Sequence, residues 1–276
     1  MWPLPAHRPF RAMGGPCYNP RMFSAARLLL PLGCALLCAS LIAGVLCGEE
    51  PRPGIEVIDQ MKRSVLAIAV APIGKDGAVD FKQLVTVATA FLLSSDGSFA
   101  TADHVLRDLE AYRTKRPSQQ VVLLPSAGKW PSGPNPVATR YCLFDVVKRD
   151  QISDIAICRV VRDPENDAAV ARMHPVDLQT EVPPDGTEVR FLGFAEKSAL
   201  PLVGAGLIAS YQMDEQLLRP NIVLHATGIG GWSGSPVFLA SGKVIGVFCT
   251  STGEKEEAGL SGVRPAQLVV NALRPK

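Results

Sequence analysis

The 276-residue chain is poor in aromatic side chains, at 6% of residues, and has no run of basic ones. Its 28 Lys and Arg stand against 26 Asp and Glu, a net charge of +2. Without the clustered cationic face that a phosphate backbone requires, nucleic acid is not expected as a partner. The four histidines, His7, His104, His174 and His225, show no ligand spacing with one another or with the cysteines, so neither a metal nor another cofactor is expected. A full cysteine framework is missing as well. Of seven cysteines, Cys17, Cys34, Cys38 and Cys47 precede residue 48, which leaves Cys142, Cys158 and Cys249, an odd number in apolar runs. The body must therefore be held by its core, with buried thiols and room for one disulfide at most.

Apolar material is plentiful. At 47% hydrophobic and 20% charged residues, the chain has enough to bury a core and is not of disordered composition. The uncharged stretch Leu28–Leu46, LLLPLGCALLCASLIAGVL, follows four arginines, Arg8, Arg11, Arg21 and Arg27, and precedes Glu49 and Glu50. This is the layout of a leader helix that serves as a signal peptide or an N-terminal membrane anchor. Residues 1–48 are assigned to it, residues 49–54 to a linker and residues 55–276 to an exported domain, periplasmic or secreted. Any membrane contact is expected through the leader alone.

In that domain IEVIDQMKRSVLAIAV reads as a short helix running into a strand. LVTVATAFLLSSDGSFATADHVL reads as two strands joined at Asp96-Gly97, with His104 at the end of the second. Further strands are expected at Val121–Pro125, on both sides of a turn near Arg149–Ser153, in TEVRFLGFAE, VGAGLIASYQ and NIVLHATG, and on either side of Ser241-Gly242. A helix over PAQLVVNALRPK closes the chain. No helix is expected between the strands, so the fold class is all-β, an antiparallel sandwich or barrel. The stretch Val203–Ala209 matches the dinucleotide fingerprint G-x-G-x-x-A, but it lacks the βαβ context and is set aside.

The chemistry points to GIGGWSGSPVF (Gly228–Phe238). A serine hydroxyl becomes a nucleophile only with a base, a group that orients the base, and donors for the oxyanion. Glycines before Ser233 let successive N–H groups converge, and those of Gly231 and Ser233 are spaced to form such a pair. The last histidine is His225, so the α/β-hydrolase order, with histidine after the nucleophile, is excluded. A subtilisin-like order would need an acid before His104 and an α/β pattern. What remains is His, Asp, Ser. Asp154 in SDIAIC, beside apolar Ile155 and Ile157, is the best-placed acid. Asp145 also precedes Ser233, Asp150 falls in the turn, and Asp103 adjoins His104 and points elsewhere.

These three stretches, ATAFLLSSDGSFATADHVL, SDIAIC and GWSGSPVFLASGKVIGVF, together with GTEVRFLGFAEKSALPLVGAGLIAS and AGLSGVRPAQLV, resemble the trypsin/chymotrypsin-like serine peptidases. The resemblance is nearest to the HtrA/Deg-type protease domain without a PDZ module, and it runs from about Ile55 to Lys276. It implies a chymotrypsin-like double β-barrel, two six-stranded antiparallel barrels with the site between them, and a C-terminal helix. It also implies His104 as general base, Asp154 as its orienter, Ser233 as nucleophile, and the N–H groups of Gly231 and Ser233 as oxyanion hole. The activity implied is endopeptidase cleavage of protein or peptide substrates through an acyl-enzyme. A catalytically silent binding or chaperone-like protein on the same fold is the alternative.

Two positions depart from the family pattern. Ser235 stands where glycine is usual, and Trp232 replaces the Asn or Asp before the nucleophile, so activation by a freed N-terminus is not expected. By resemblance the substrate pocket is lined by Thr227 and by Phe248, Cys249 and Thr250. It has no acid at its base, which disfavours Lys and Arg as cleavage residues.

Overall fold

Strand β1 (Val65–Pro72) is apolar at nearly every position, VLAIAVAP, because both of its faces are covered. Leu66, Ile68 and Val70 point into one core, whereas Val65, Ala67 and Ala69 point into another. The same alternation recurs in β4 (Gln119–Pro125), with Val121 and Leu123 opposed to Val122 and Leu124, and in β6 (Ile155–Val160). Side chains at i and i+2 share a face. A strand that is apolar on both faces therefore lies between two cores.

The computed structural model describes residues 54–74, 78–125, 141–198, 200–214, 219–249 and 259–274, all within one unit, Glu50–Lys276. The expected leader, most of the expected linker, and Thr250 lie outside them. Among the described residues no helix is long and apolar enough to cross a membrane.

The first sheet has the order β4-β1-β2-β3-β6-β5, with β2 at Val85–Leu92, β3 at Ser98–Thr101 and β5 at Phe144–Asp150. The second is a closed six-stranded barrel, β10-β11-β12-β9-β8-β7. Its strands are β7 (Glu188–Phe194), β8 (Pro201–Asp214), β9 (Arg219–His225), β10 (Pro236–Phe238), β11 (Val244–Cys249) and β12 (Leu260–Pro265). The all-β expectation holds, and its two six-stranded units are present. One detail is corrected: only the second closes by continuous ladders. The first sheet is a half-barrel whose edges meet at one bridge, Leu123 to Cys142, with both backbone hydrogen bonds made (2.9 and 2.8 Å).

Each barrel has an interior core, and a third core lies between them. That third core takes Phe91 and Ile155 from the first sheet and Leu192, Phe194, Phe238, Val244 and Val247 from the second. Phe91, Phe194 and Phe238 are wholly buried, and each such side chain contributes about 1.5–3 kcal/mol through loss of apolar surface. The two halves are thereby locked at a fixed relation. Helix α1 (Ile55–Lys62) adds Met61 to this seam, and the closing helix adds Val269 and Ala272.

The expectation that no helix interrupts the strands is overturned. A 13-residue helix, α2 (Asp103–Lys115), follows β3, and a 7-residue helix, α3 (Pro164–Val170), follows β6; the closing helix, α4, spans Ala266–Leu273. In α2, Val105, Leu106 and Leu109 form a short buried stripe with Asp103 in the first turn and Arg113 and Lys115 in the last, the polarity that complements a helix dipole. So few apolar positions among charges resemble a polar loop in the sequence. Helix α3 is announced by Asp163, whose side chain accepts from the N–H groups of Glu165 and Asn166, with proline at the first helical position.

Candidate active site

His104 is the second residue of α2, in the first turn of the helix rather than at the end of β3. Asp154 is the residue before β6 and has φ +55°. Aspartate tolerates this left-handed geometry better than most side chains, and here it turns the residue towards the start of α2. The Asp154 carbonyl accepts from the N–H of Asp103 (3.2 Å), and its Oδ1 accepts from the N–H of His104 (2.8 Å). Ala102, the formal N-cap, has no side-chain acceptor, so Asp154 caps the helix from the turn before β6. One residue thereby fixes the helix that carries the histidine and the ring itself.

The ring continues the chain of bonds. His104 Nδ1 lies 2.9 Å from Asp154 Oδ2 and 3.2 Å from Oδ1, and Nε2 lies 2.9 Å from Ser233 Oγ. A carboxylate only accepts, so Nδ1 carries the proton, Nε2 is the acceptor, and the Ser233 hydroxyl donates to it. Burial pushes the Asp154 carboxyl up. Hydrogen bonds from the His104 ring outweigh that, with the ring's charge, the His104 N–H and the Arg264 cation, and hold the carboxyl below the usual carboxylate range.

Of the competing acids, Asp103 is wholly buried but points away, onto Arg149 Nε (2.6 Å) with Arg107 beside it. Arg149 reaches on to Glu110 (2.7 Å), so the pair ties α2 to β5. Asp150 sits at the end of β5 and accepts from the Ser153 N–H (3.0 Å).

From Gly230 to Ser233 each carbonyl accepts a hydrogen bond. That of Gly230 accepts from the Glu196 N–H (2.7 Å), Gly231 from the Thr89 hydroxyl (2.9 Å), Trp232 from the Ser235 N–H (3.0 Å) and Ser233 from the Thr89 N–H (3.0 Å). No described peptide bond is cis, and across a trans peptide the N–H points opposite to the carbonyl. With the Gly230 and Trp232 carbonyls turned away into these bonds, the N–H groups of Gly231 and Ser233 face the other way. Gly231 and Gly234 have φ +92° and +88°. A Cβ on either would run into backbone, that of Phe194 to Glu196 for Gly231 and the Thr89 carbonyl for Gly234.

The two departures from pattern find their places in packing. Trp232 is 8% exposed and meets Phe191 edge-on at 4.9 Å and Phe248 at 6.1 Å. Phe191 and Phe248 stack at 4.6 Å, so the aromatic set fills the second barrel. Ser235 is wholly buried against Gly193, where any Cβ would overlap it.

The expected pocket residues divide. Thr227 is exposed. Phe248 and Cys249, by contrast, are buried, at 0% and 1% exposure, and their side chains do not line an open pocket. Phe248 belongs to the aromatic core, because successive residues of β11 face opposite ways. Cys249 faces the site from behind, and its Sγ lies within 4.8 Å of an Asp154 oxygen and a His104 ring nitrogen.

That trio is a potential donor set for a metal. It fits one badly, because burial pushes the Cys249 thiol far up and the Arg264 cation acts on the same carboxylate. Cys142, Cys158 and Cys249 are all buried, and no disulfide joins any two of them. Thr89, Arg264 and the pairing of Asp103 with Arg149 were not picked out by the sequence patterns. The nearest signal was a threonine inside the apolar run VTVATAFLL.

A family model described as a trypsin-like peptidase domain matches residues 88–247, more than half of the chain. No curated protein matches it. Among solved structures, the Rv3671c protease from M. tuberculosis in its active form is 18% identical, with a TM-score of 0.54 and coverage of 80% of this chain and 86% of that one. Its inactive form is also 18% identical, with a TM-score of 0.53 and coverage of 80% and 92%. Deg5 is 17% identical, with a TM-score of 0.57 and coverage of 81% and 93%. At these identities the structural matches speak for the fold, and the family model carries the assignment: this chain belongs to the trypsin-like peptidase family.

Proposed function

We propose that the chain is an exported serine endopeptidase that hydrolyses peptide bonds in proteins or peptides through a His104, Asp154, Ser233 triad and an acyl-enzyme. The observation that carries this reading is the unbroken path from Asp154 to His104 to Ser233, with 2.9 Å at each step. His104 Nε2 takes the proton as Ser233 Oγ attacks the carbonyl carbon. The N–H groups of Gly231 and Ser233 hold the oxyanion, and the imidazolium then gives its proton to the leaving amine. Water repeats the sequence on the acyl-enzyme and frees Ser233. Asp154 keeps the ring in the tautomer that can accept and stabilises the imidazolium. Export is inferred from the uncharged stretch Leu28–Leu46 and its arginine flank.

The test is labelling by a fluorophosphonate probe together with hydrolysis of casein. Wild-type protein should label and hydrolyse, and Ser233→Ala should do neither while remaining folded. Folded wild-type protein that never labels would instead favour the silent binding protein.

A further inference from the structure

Behind Asp154 the second barrel places a charge that the proposed mechanism does not use. Along β11, Val247 and Cys249 face the first barrel, whereas Phe248 faces the interior of the second. Arg264 on β12 is the cross-strand partner of Val247, and Gly262 that of Cys249. Cross-strand partners share a face, so Arg264 stands on the Asp154 side of its barrel, with no side chain at Gly262 between it and Cys249.

Arg264 is 2% exposed, and Asn221 beside it is 5% exposed. Arg264 Nη1 donates to Asn221 Oδ1 at 2.8 Å, and Nε has no partner among the described residues. No described carboxylate lies within ion-pair reach. A guanidinium withdrawn from water onto one neutral amide is costly unless a negative charge is near enough to balance it. The buried carboxylate that feels Arg264 is Asp154.

We propose that Arg264, anchored by Asn221, is a positioning residue of the site: a fixed positive charge, shielded from water, that balances the Asp154 carboxylate from the second-barrel side. The consequence reaches His104 through Asp154. A cation on this side disfavours a second positive charge on the ring, so its removal should favour the imidazolium. The other charged and titratable groups around Asp154 are few. His104 faces it from α2 and the Cys249 thiol from β11, Arg219 of β9 acts on Cys249 and donates to the Ile152 carbonyl (3.0 Å), and Asp103 is occupied with Arg149. This inference rests on the reading of Ser233 as nucleophile.

The experiment compares wild type with Arg264→Met, Arg264→Lys and Asn221→Asp, the last of which neutralises the guanidinium in place. Two quantities are measured: the pH profile of kcat/KM on a peptide substrate, and the NMR titration of the His104 ring in chains that also carry Ser233→Ala. In Arg264→Met and Asn221→Asp the acid limb of the profile and the ring titration should both move up by about half a pH unit, roughly a threefold loss of activity on the acid side. Arg264→Lys should restore the wild-type profile. A uniform loss of activity across pH, with the ring titration unmoved, would overturn the proposal and leave Arg264 a packing residue. If Arg264→Met does not fold, Asn221→Asp and Arg264→Lys decide between the same two outcomes. Failure of the catalytic reading looks different: wild type would neither hydrolyse nor label at any pH, while the ring titration would still report on Arg264.

Discussion

The Thr89 hydroxyl donates to the Gly231 carbonyl at 2.9 Å, joining the middle of β2 in the first sheet to the loop that precedes Ser233 in the second barrel. The same oxygen accepts from the Phe194 N–H at 2.8 Å, and the Thr89 N–H donates to the Ser233 carbonyl at 3.0 Å. One wholly buried side chain thus sets the plane of the peptide that follows Gly231 and fixes the loop against both halves of the molecule.

Thr89→Val keeps the shape and removes both hydroxyl bonds, leaving the Gly231 carbonyl and the Phe194 N–H buried without that partner. Urea unfolding should show a loss of about 1–3 kcal/mol. Turnover should fall more than KM rises if the N–H groups of this loop are the oxyanion donors proposed above. An unchanged kcat with an unchanged unfolding midpoint would mean that the loop holds its shape without Thr89.

Acid should remove a defined part of the stability. The folded Asp154 carboxyl titrates below its ordinary range, after its burial is outweighed by its bonds to His104. The unfolded chain therefore takes up this proton first, at about pH 4. The contribution is complete above about pH 4 and is lost as the pH falls through the folded value. Asp154→Asn keeps an oxygen that can cap α2 but loses the charge. Its melting temperature should lie below that of wild type at pH 6, and the gap should narrow below about pH 4. A gap that stays constant down to pH 2 would contradict the linkage.

The three cysteines should be inert while the chain is folded. Burial pushes the Cys158 thiol up to about 12 and the Cys249 thiol further still, and the thiolate is the reactive form. A thiol reagent at pH 8 should leave Cys142, Cys158 and Cys249 unmodified in native protein and modify all three in denaturant. Mass spectrometry should find no disulfide among them. Rapid native labelling of Cys249 would mean that the wall behind Asp154 opens.

Much of the molecule was legible from local pattern. Apolar runs such as VLAIAVAP, turn signals such as Asp96-Gly97, and the order His104, Asp154, Ser233 are written in neighbouring residues, and the structure brings those three side chains together. Helix α2 was not legible, since its buried stripe is only Val105, Leu106 and Leu109 among charges, and its cap, Asp154, comes from 50 residues away. The reading of Phe248 and Cys249 as pocket walls failed on facing. Sequence places them side by side, and the pleat of β11 turns one into the barrel and the other towards Asp154.

By itself the sequence determined the strand-rich class, the candidate serine and the one chain order in which a histidine and an acid could serve it, because these follow from residue type and succession. The tertiary structure alone decided which polar groups share an interior. Thr89 meets Gly231, and Arg264 stands behind Asp154, through strand register and the seam between the two halves. Such meetings join residues more than a hundred positions apart, and no local periodicity records them.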